Sequence, residues 1–197
     1  MIELWLAAAV LLFVPWRWLP LGLLVVILLG LPGLKARWGG APYVWSSKKT
    51  VNTMVRLAAI QRGETVYDLG CGDGRLVRRA AHLGAHATGL EASFLTFLLA
   101  WCWSVPVRNA RIRFGDLWKG DYRSADVIFC YLLVANMERF EREIWPTLKT
   151  GCRVVSNSFR MKGIEPTAVE GGVYLYVQRS ASASTSALAE GASVLRG

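Results

Sequence analysis

Histidine and cysteine, the residues that most often hold metal ions, are scarce in this chain. Its 197 residues include two histidines and four cysteines. The cysteines stand far apart without a C-x-x-C pair, and neither His82 nor His86 has a cysteine at ligand spacing. We therefore expect no metal site. Widely separated cysteines also indicate small buried residues in a reducing compartment.

Acidic residues are also few. The chain has 14 Asp and Glu against 23 Lys and Arg, which leaves a formal net charge of +9. The basic residues are scattered rather than gathered in one run, and no zinc-finger or RNP-like motif accompanies them. Such a balance favours an anionic membrane surface or an acidic partner. Without a nucleic-acid-binding motif, we expect no nucleic-acid partner.

The N-terminus lacks the basic start of a secretory signal peptide, since no lysine or arginine precedes Arg17 and no small-residue cleavage site stands out. It contains instead two apolar runs, residues 4–14 and 21–34, separated by Pro-Trp-Arg-Trp-Leu-Pro. We predict that residues 1–38 form a membrane anchor. Residues 39–179 are then one folded domain, and the Ala/Ser-rich residues 180–197 are a disordered tail.

Several arrangements of the apolar segment remain open. One continuous helix would place Arg17 deep in lipid at a cost of about 3 kcal/mol. A tight hairpin, or a single span preceded by an interfacial segment, avoids that cost. A buried pair of hydrophobic helices is the alternative without a membrane. In each membrane arrangement, the basic residues that follow predict a domain on the cytoplasmic side. These are Lys35, Arg37, Lys48, Lys49 and Arg56.

A glycine-rich turn is the most informative motif in the chain. It reads Tyr-Asp-Leu-Gly-Cys-Gly-Asp-Gly-Arg over residues 67–75, after a β-rich lead-in and before a helical segment. The glycines, Gly70, Gly72 and Gly74, permit positive φ and let a ligand approach bare backbone. Their spacing is G-x-G-x-G rather than the G-x-G-x-x-G of dinucleotide-binding folds. Asp68 would repel a pyrophosphate, so a cationic, nucleoside-bearing cofactor fits better.

Acids follow three successive predicted strands, namely Asp68, Glu91 and Asp116. The carboxyl ends of parallel strands meet at one edge of a sheet, and an acid there can accept hydrogen bonds from ribose hydroxyls. Together with the glycine turn, the three acids predict an S-adenosylmethionine site. Asp68 would lie near the methionine end, Glu91 at the ribose and Asp116 at the adenine. The alternative interpretation is that each acid merely forms a turn.

Strand and helix patterns alternate through the rest of the domain. A final pair of strands is joined by a segment too short for a crossover helix, which predicts an antiparallel hairpin. We therefore expect an α/β fold with a doubly wound, mostly parallel seven-stranded sheet and an antiparallel final strand. Ser46 or Ser47 is expected to cap the first helix, and Gly63 is expected to end it. A later helix is expected to span 135–148, with Pro146 kinking or ending it. The predicted strands are 65–67, 87–90, 111–114, 126–131, 153–158, 167–169 and 173–178.

The turn at 66–75 resembles that of class I, seven-β-strand S-adenosylmethionine-dependent methyltransferases, and the resemblance extends over about residues 42–178. The lead-in Pro-Tyr-Val-Trp-Ser at 42–46 and the strand end Tyr-Leu-Leu at 131–133 are similar to a membrane-anchored protein lysine methyltransferase group. That group includes enzymes acting on the ATP synthase c subunit and the adenine nucleotide translocase, and an archaeal relative. Trp45 departs from the group, which usually has proline there.

The resemblance implies methyl transfer to a protein lysine ε-amine, with a membrane-associated protein as substrate and the lipid bilayer as a further partner. The expected cofactor-binding residues are Tyr43, Asp68, Gly70, Cys71, Gly72, Gly74, Glu91 and Asp116. Tyr131, at the end of the fourth strand, is expected to line the methyl-transfer channel; otherwise it is a core tyrosine. Two other functions remain open. One is methylation of a lipid or small molecule, and the other is cofactor binding or assembly without turnover.

Overall fold

Seven strands form one sheet in the order β3-β2-β1-β4-β5-β7-β6. The computed structural model describes residues 47–179 and the isolated positions 18, 20 and 22. The first five strands pair in parallel, and the last two extend one side of the sheet through antiparallel pairs. The predicted fold class is therefore confirmed for the domain. The strands are β1 Thr65–Leu69, β2 His86–Glu91, β3 Ala110–Phe114, β4 Val127–Cys130, β5 Arg153–Asn157, β6 Ala168–Glu170 and β7 Val173–Val177.

Four α-helices and two short 3-10 turns connect these strands within residues 47–179. The helices are α1 Lys48–Ala58, α2 Arg75–His82, α3 Phe94–Ser104 and α4 Val134–Glu143, and the 3-10 turns are Leu117–Lys119 and Trp145–Thr147. Alternate side chains of each strand point to opposite faces of the sheet. One face packs against α1, α2 and α3, and the other packs against α4 and the loops around Tyr122 and Met161.

The first helix begins as predicted but ends earlier. Ser47 is its N-cap, and the Ser47 hydroxyl accepts a hydrogen bond of 3.1 Å from the Thr50 N–H. The prediction that Gly63 ends this helix is wrong. The helix stops at Ala58, because Ala59 adopts a left-handed conformation with φ 45° and its N–H bonds to the Arg56 carbonyl. Gly63 lies in the following turn, where its N–H donates to the Gly84 carbonyl.

The helix predicted for residues 135–148 is shorter in the structure. It spans Val134–Glu143, and a 3-10 turn at Trp145–Thr147 follows it. Pro146 lies inside this turn and has no N–H to donate to a helical carbonyl, so an α-helix cannot continue through it. The prediction that Pro146 disrupts the helix is thus confirmed, and the predicted C-terminal boundary was several residues too late.

The strand order places β1 and β4 side by side at the centre of the sheet, where the chain changes direction between the two halves. Strands β1, β2 and β3 follow one another outward on one side of this point, and β4 and β5 on the other. In open α/β sheets, ligands bind outside the carboxyl ends of the strands at such a switch point. The glycine turn after β1 and the segment after β4 both lie there.

The predicted membrane segment 1–38, the lead-in 42–46 with Tyr43 and the tail 180–197 fall outside the described residues, apart from positions 18, 20 and 22. Within the part of the chain that is described, no helix has the length and apolar character needed to cross a bilayer.

Candidate active site

The turn between β1 and α2 requires glycine at three positions. Gly70, Gly72 and Gly74 have φ values of 77°, 56° and 75°, a region that side-chain-bearing residues rarely adopt. A Cβ placed on Gly70 would meet nothing within 4 Å, so open space lies above the turn at this residue. The turn therefore exposes bare backbone at the switch point, as its sequence predicts.

The amides of this turn bond within the protein rather than toward an anion. The Gly70 and Cys71 N–H groups both donate to the Leu90 carbonyl, at 3.0 and 2.9 Å. The Gly74 N–H donates to the Cys71 carbonyl at 2.9 Å. Phosphate-binding turns offer such amides to their ligand. Because the turn is tied to β2 instead, its geometry agrees with a cofactor that carries no phosphate.

Glu91, at the end of β2, bridges the glycine turn and the start of α3. One carboxylate oxygen accepts a hydrogen bond of 3.0 Å from the Gly72 N–H, and the other accepts one of 2.8 Å from the Ser93 N–H. These two bonds orient the carboxylate at the strand end. The assignment of Glu91 to the ribose stays a prediction.

Asp68 is a buried acid, with 5% of its surface exposed. Burial, together with the nearby charges of Asp73 and Glu91, raises its pKa from 3.8 to about 8. Asp73 itself pairs with the Arg75 guanidinium at 2.8 Å. A cation placed beside a buried carboxyl of this kind stabilises its ionised form. The electrostatics of the turn therefore suit a cationic ligand such as the amino-acid end of S-adenosylmethionine.

The Cys71 side chain packs into the core beneath the turn. A Cβ built on Gly89 would lie 2.6 Å from its Sγ, so the thiol occupies the space that a side chain on β2 would need. Burial and the acids Asp68, Glu91 and Asp73 raise the thiol pKa well above its ordinary value. A cofactor contact at Cys71 would thus involve its main chain, since the neutral thiol is enclosed.

Asp116 follows β3 and is exposed. Its carboxylate accepts a hydrogen bond of 3.0 Å from the Trp118 N–H and caps the 3-10 turn. Beside it, Phe114 is 51% exposed and packs edge-on against Phe94, with ring centroids 5.7 Å apart. Sequence reasoning did not single out Phe114. Its place at the end of β3, two residues before an acid, is the signal that could have identified it.

Tyr131, directly after β4, is half-buried and stacks on Phe159 with centroids 5.8 Å apart and planes 27° from parallel. Phe159 comes from the segment after β5 and was missed by sequence reasoning. Asn157, at the end of β5, is buried, and its side-chain oxygen accepts from the Ser158 hydroxyl. The Tyr131–Phe159 pair forms an aromatic wall at the carboxyl edge. Whether Tyr131 lines a methyl-transfer channel stays a prediction.

The sequence-predicted residues are therefore brought to one edge of the sheet by β1, β2, β3 and β4. The exception is Tyr43, which lies outside the described residues. A separate concavity of about 550 Å³, lined among others by Tyr67, Thr88 and Arg113, lies on the face of the sheet opposite to α2. Asp68, Glu91 and Asp116 do not line it, so it does not belong to this site. Among the described residues, no cluster of His, Cys, Asp and Glu could hold a metal ion.

The parallel sheet, the open glycine turn and the row of acids define a Rossmann-like S-adenosylmethionine-dependent methyltransferase. A family model, the ANTKMT methyltransferase domain, matches residues 68–168. A protein-lysine N-methyltransferase of Saccharolobus islandicus (strain REY15A) is 35% identical over 149 residues, which are 69% of this chain and 92% of that protein. The chain belongs to the ANTKMT methyltransferase family.

Two further comparisons bear on cofactor and acceptor. The adenine nucleotide translocase lysine N-methyltransferase of Mus musculus is 31% identical over 66% of this chain, but the chain spans only 58% of that protein. A crystal structure described as an RNA methyltransferase from Salinibacter ruber with S-adenosyl-L-homocysteine superposes with a TM-score of 0.65 and 32% identity. The match covers 70% of this chain and 95% of that one. The protein is thus an S-adenosylmethionine-dependent methyltransferase, while these relatives carry different acceptor names.

Proposed function

We propose that this protein methylates the ε-amine of a lysine on a membrane-associated protein. The observation that carries the proposal is its 35% identity to a protein-lysine N-methyltransferase over nearly the full length of that enzyme. The described site supports it, because an aromatic wall at Tyr131 and Phe159 stands at the edge where the acids meet. Aromatic faces attract ammonium and methylammonium groups.

The cofactor, when bound, supplies an electrophilic methyl group on a sulfonium. Gly70 and the buried carboxyl of Asp68 would hold its amino-acid end, and Glu91 and Asp116 would hold its ribose and adenine. The protein's remaining task is to orient the lysine and exclude water. A lysine must be neutral to act as a nucleophile, and an apolar, aromatic entrance lowers its pKa by disfavouring the charged form.

Membrane attachment is the second part of the proposal. The apolar runs at 4–14 and 21–34 would anchor the enzyme, and the following basic residues would keep the domain cytoplasmic. An anchored enzyme meets lysines at the membrane surface at a high effective concentration. Alkaline extraction and protease accessibility of the full chain in its native membrane would test this. Release of the protein from the membrane at high pH would contradict the anchor. Survival of the domain when protease is added to the cytoplasmic side would contradict the predicted orientation.

The acceptor can be tested directly with the full-length enzyme. Membranes from cells that lack this protein are incubated with it and radiolabelled S-adenosylmethionine, and protein, lipid and RNA are then separated. We expect label in protein, recovered after hydrolysis as methyl-lysine. A Glu91→Ala variant, which loses the carboxylate that orients the turn, serves as the inactive control.

Label in another fraction would contradict the proposal and favour a different function. Label in lipid or small molecules would favour the alternative acceptor class, and label in RNA would match the description of the Salinibacter relative. Cofactor binding without label in any fraction would indicate an assembly protein without turnover.

A further inference from the structure

Helix α3 presents an apolar stripe to the outside of the molecule. Its exposed fractions are 41% for Leu98, 45% for Leu99, 48% for Trp101, 47% for Trp103 and 64% for Val105 beyond the helix end. Cys102 is exposed among them, so the expectation that the cysteines are buried is wrong for this one. We call these six residues the α3 stripe. Their exposure is unusual, because large side chains of this type are normally covered by other protein groups.

A crossover helix needs apolar residues only on the face that packs against its sheet. Helix α3 also carries them on its outward side. Ala100 and Ser104 are its fully buried residues, and they lie on the side that packs against β2 and β3. At 100° per residue, the α3 stripe covers the opposite side and more than half of the circumference. Helix α2 has the same kind of connection, but its outward positions are polar, such as Arg79 and His82. The stripe is therefore not required by the fold.

Two arginines lie beside the stripe. Arg108 follows the helix in the exposed loop before β3, and residues 94–108 contain no acidic residue. The Arg78 guanidinium lies 5.7 Å from the centroid of the Trp103 ring. Arg111 and Arg113 alternate with Ile112, which packs toward α2 and α3, so they lie on the opposite face of β3. An apolar strip with tryptophans, flanked by arginines, matches the chemistry of a bilayer surface with anionic headgroups.

We propose that the α3 stripe docks this domain onto an anionic lipid surface, with its tryptophans at headgroup depth. Symmetric pairing with a second copy fits less well, because it would bring the same-sign arginines of both copies together. The inference rests on described residues of the folded domain. It depends neither on the predicted anchor at 1–38 nor on the identity of the methyl acceptor.

This docking would orient the enzyme. Helix α3 starts immediately after Glu91 and Ser93, at the carboxyl edge of the sheet, and runs back along the β3 side. With that side against lipid, the edge that carries the glycine turn and Tyr131 stays open beside the membrane. A membrane-surface side chain could reach it without detachment of the domain.

Cys102 allows a direct test with the full-length protein, because it is the exposed cysteine while Cys71, Cys130 and Cys152 are buried. A nitroxide label on Cys102 is examined by electron paramagnetic resonance with oxygen, which enters lipid, and with a water-soluble nickel complex. On vesicles containing phosphatidylglycerol, we expect nickel accessibility to fall about threefold and oxygen accessibility to rise. Phosphatidylcholine vesicles should produce a smaller change, and high salt should weaken the effect.

The matched control is Cys102→Ser with Glu165→Cys, since Glu165 lies in the exposed segment between β5 and β6. This label should stay accessible to nickel on the same vesicles. Two further variants carry the Cys102 label. Trp101→Gln with Trp103→Gln removes apolar contact, and Arg108→Glu reverses the charge of the arginine that follows the helix. Both should restore nickel accessibility.

Three results would overturn the proposal. The first is a Cys102 label that stays open to nickel on phosphatidylglycerol vesicles. The second is a label already shielded without lipid, which would show that protein, from this chain or a second copy, covers the stripe. The third is shielding that neither the double tryptophan variant nor Arg108→Glu reduces.

Discussion

Cofactor binding by this enzyme should release a proton from Asp68. In the free protein the pKa of this buried carboxyl is about 8, so the group is mostly protonated at neutral pH. If the cationic end of the cofactor sits beside it, the ionised form is stabilised and the proton leaves. The pH dependence of cofactor affinity therefore reports whether Asp68 holds that end.

The expected size follows from the linkage between protonation and binding. With a free-protein pKa of about 8 and a carboxyl that is fully ionised in the complex throughout this range, the association constant should rise about 25-fold between pH 6.0 and 7.5. Nearly one proton should be released per cofactor bound at pH 6.5. Within this window the cofactor's own α-amino group stays mainly protonated, since such groups titrate near pH 8.

Isothermal titration calorimetry in two buffers with different ionisation enthalpies measures both quantities. The control is Asp68→Asn, which keeps the shape of the side chain but cannot ionise. Its affinity should be lower at pH 7.5, and its binding should release no proton at pH 6.5. Wild-type binding without proton release at pH 6.5 would refute the assignment of Asp68 to the cationic end.

The pH dependence of folding stability offers an independent measurement of the pKa of Asp68. The folded-state pKa lies above the ordinary value of 3.8, so the folded protein holds this proton more tightly than the unfolded chain does. Stability from Asp68 is thus greatest at low pH and declines as pH rises from about 4 to 8. At about 1.4 kcal/mol per pKa unit, the full loss is about 6 kcal/mol. Asp68→Asn should remove this decline in urea unfolding of the cofactor-free enzyme.

Two other substitutions test the packing under the turn and the aromatic wall. Gly89→Ala should lower the free energy of unfolding by about 1–3 kcal/mol in urea denaturation, because the new Cβ would lie 2.6 Å from the Cys71 Sγ. Cys71→Ala in the same chain should recover part of this loss, and an unchanged Gly89→Ala stability would contradict the packing argument. Tyr131→Phe keeps the stack on Phe159 and should retain most activity, whereas Tyr131→Ala should lower kcat/KM about tenfold. Equal losses in both Tyr131 variants would instead assign the role to the hydroxyl.

The site's location could be predicted from local sequence, but its internal connections could not. The glycine spacing and the acids after β1, β2 and β3 predict one edge of the sheet, because parallel strands share a direction. The bridge from Glu91 to the Gly72 amide joins residues 19 apart, and it depends on how closely β2 approaches the turn. Phe159 reaches Tyr131 only through the pairing of β4 with β5. Neither contact has a local sequence signal.

The two ends of helix α1 show the same difference between local and tertiary causes. Ser47 begins α1 through a bond within one turn of chain, and its sequence predicts it. The end at Ala58 was not predicted, because the left-handed residue is an alanine rather than the expected glycine. The surrounding fold holds that conformation, with the Arg153 guanidinium donating to the Ala59 carbonyl at 2.9 Å.

Sequence by itself determined the class of enzyme, the order of its strands and helices, and the acids and glycines that meet at the carboxyl edge of the sheet. These depend on periodicity, turn chemistry and strand direction, which act over a few residues. Tertiary structure alone decided that Asp68 is buried enough to hold a proton and that Cys71 faces the core. It also decided that the apolar helix α3 turns most of its surface outward. Burial is a property of what packs around a residue, and neighbours in space come from distant parts of the chain.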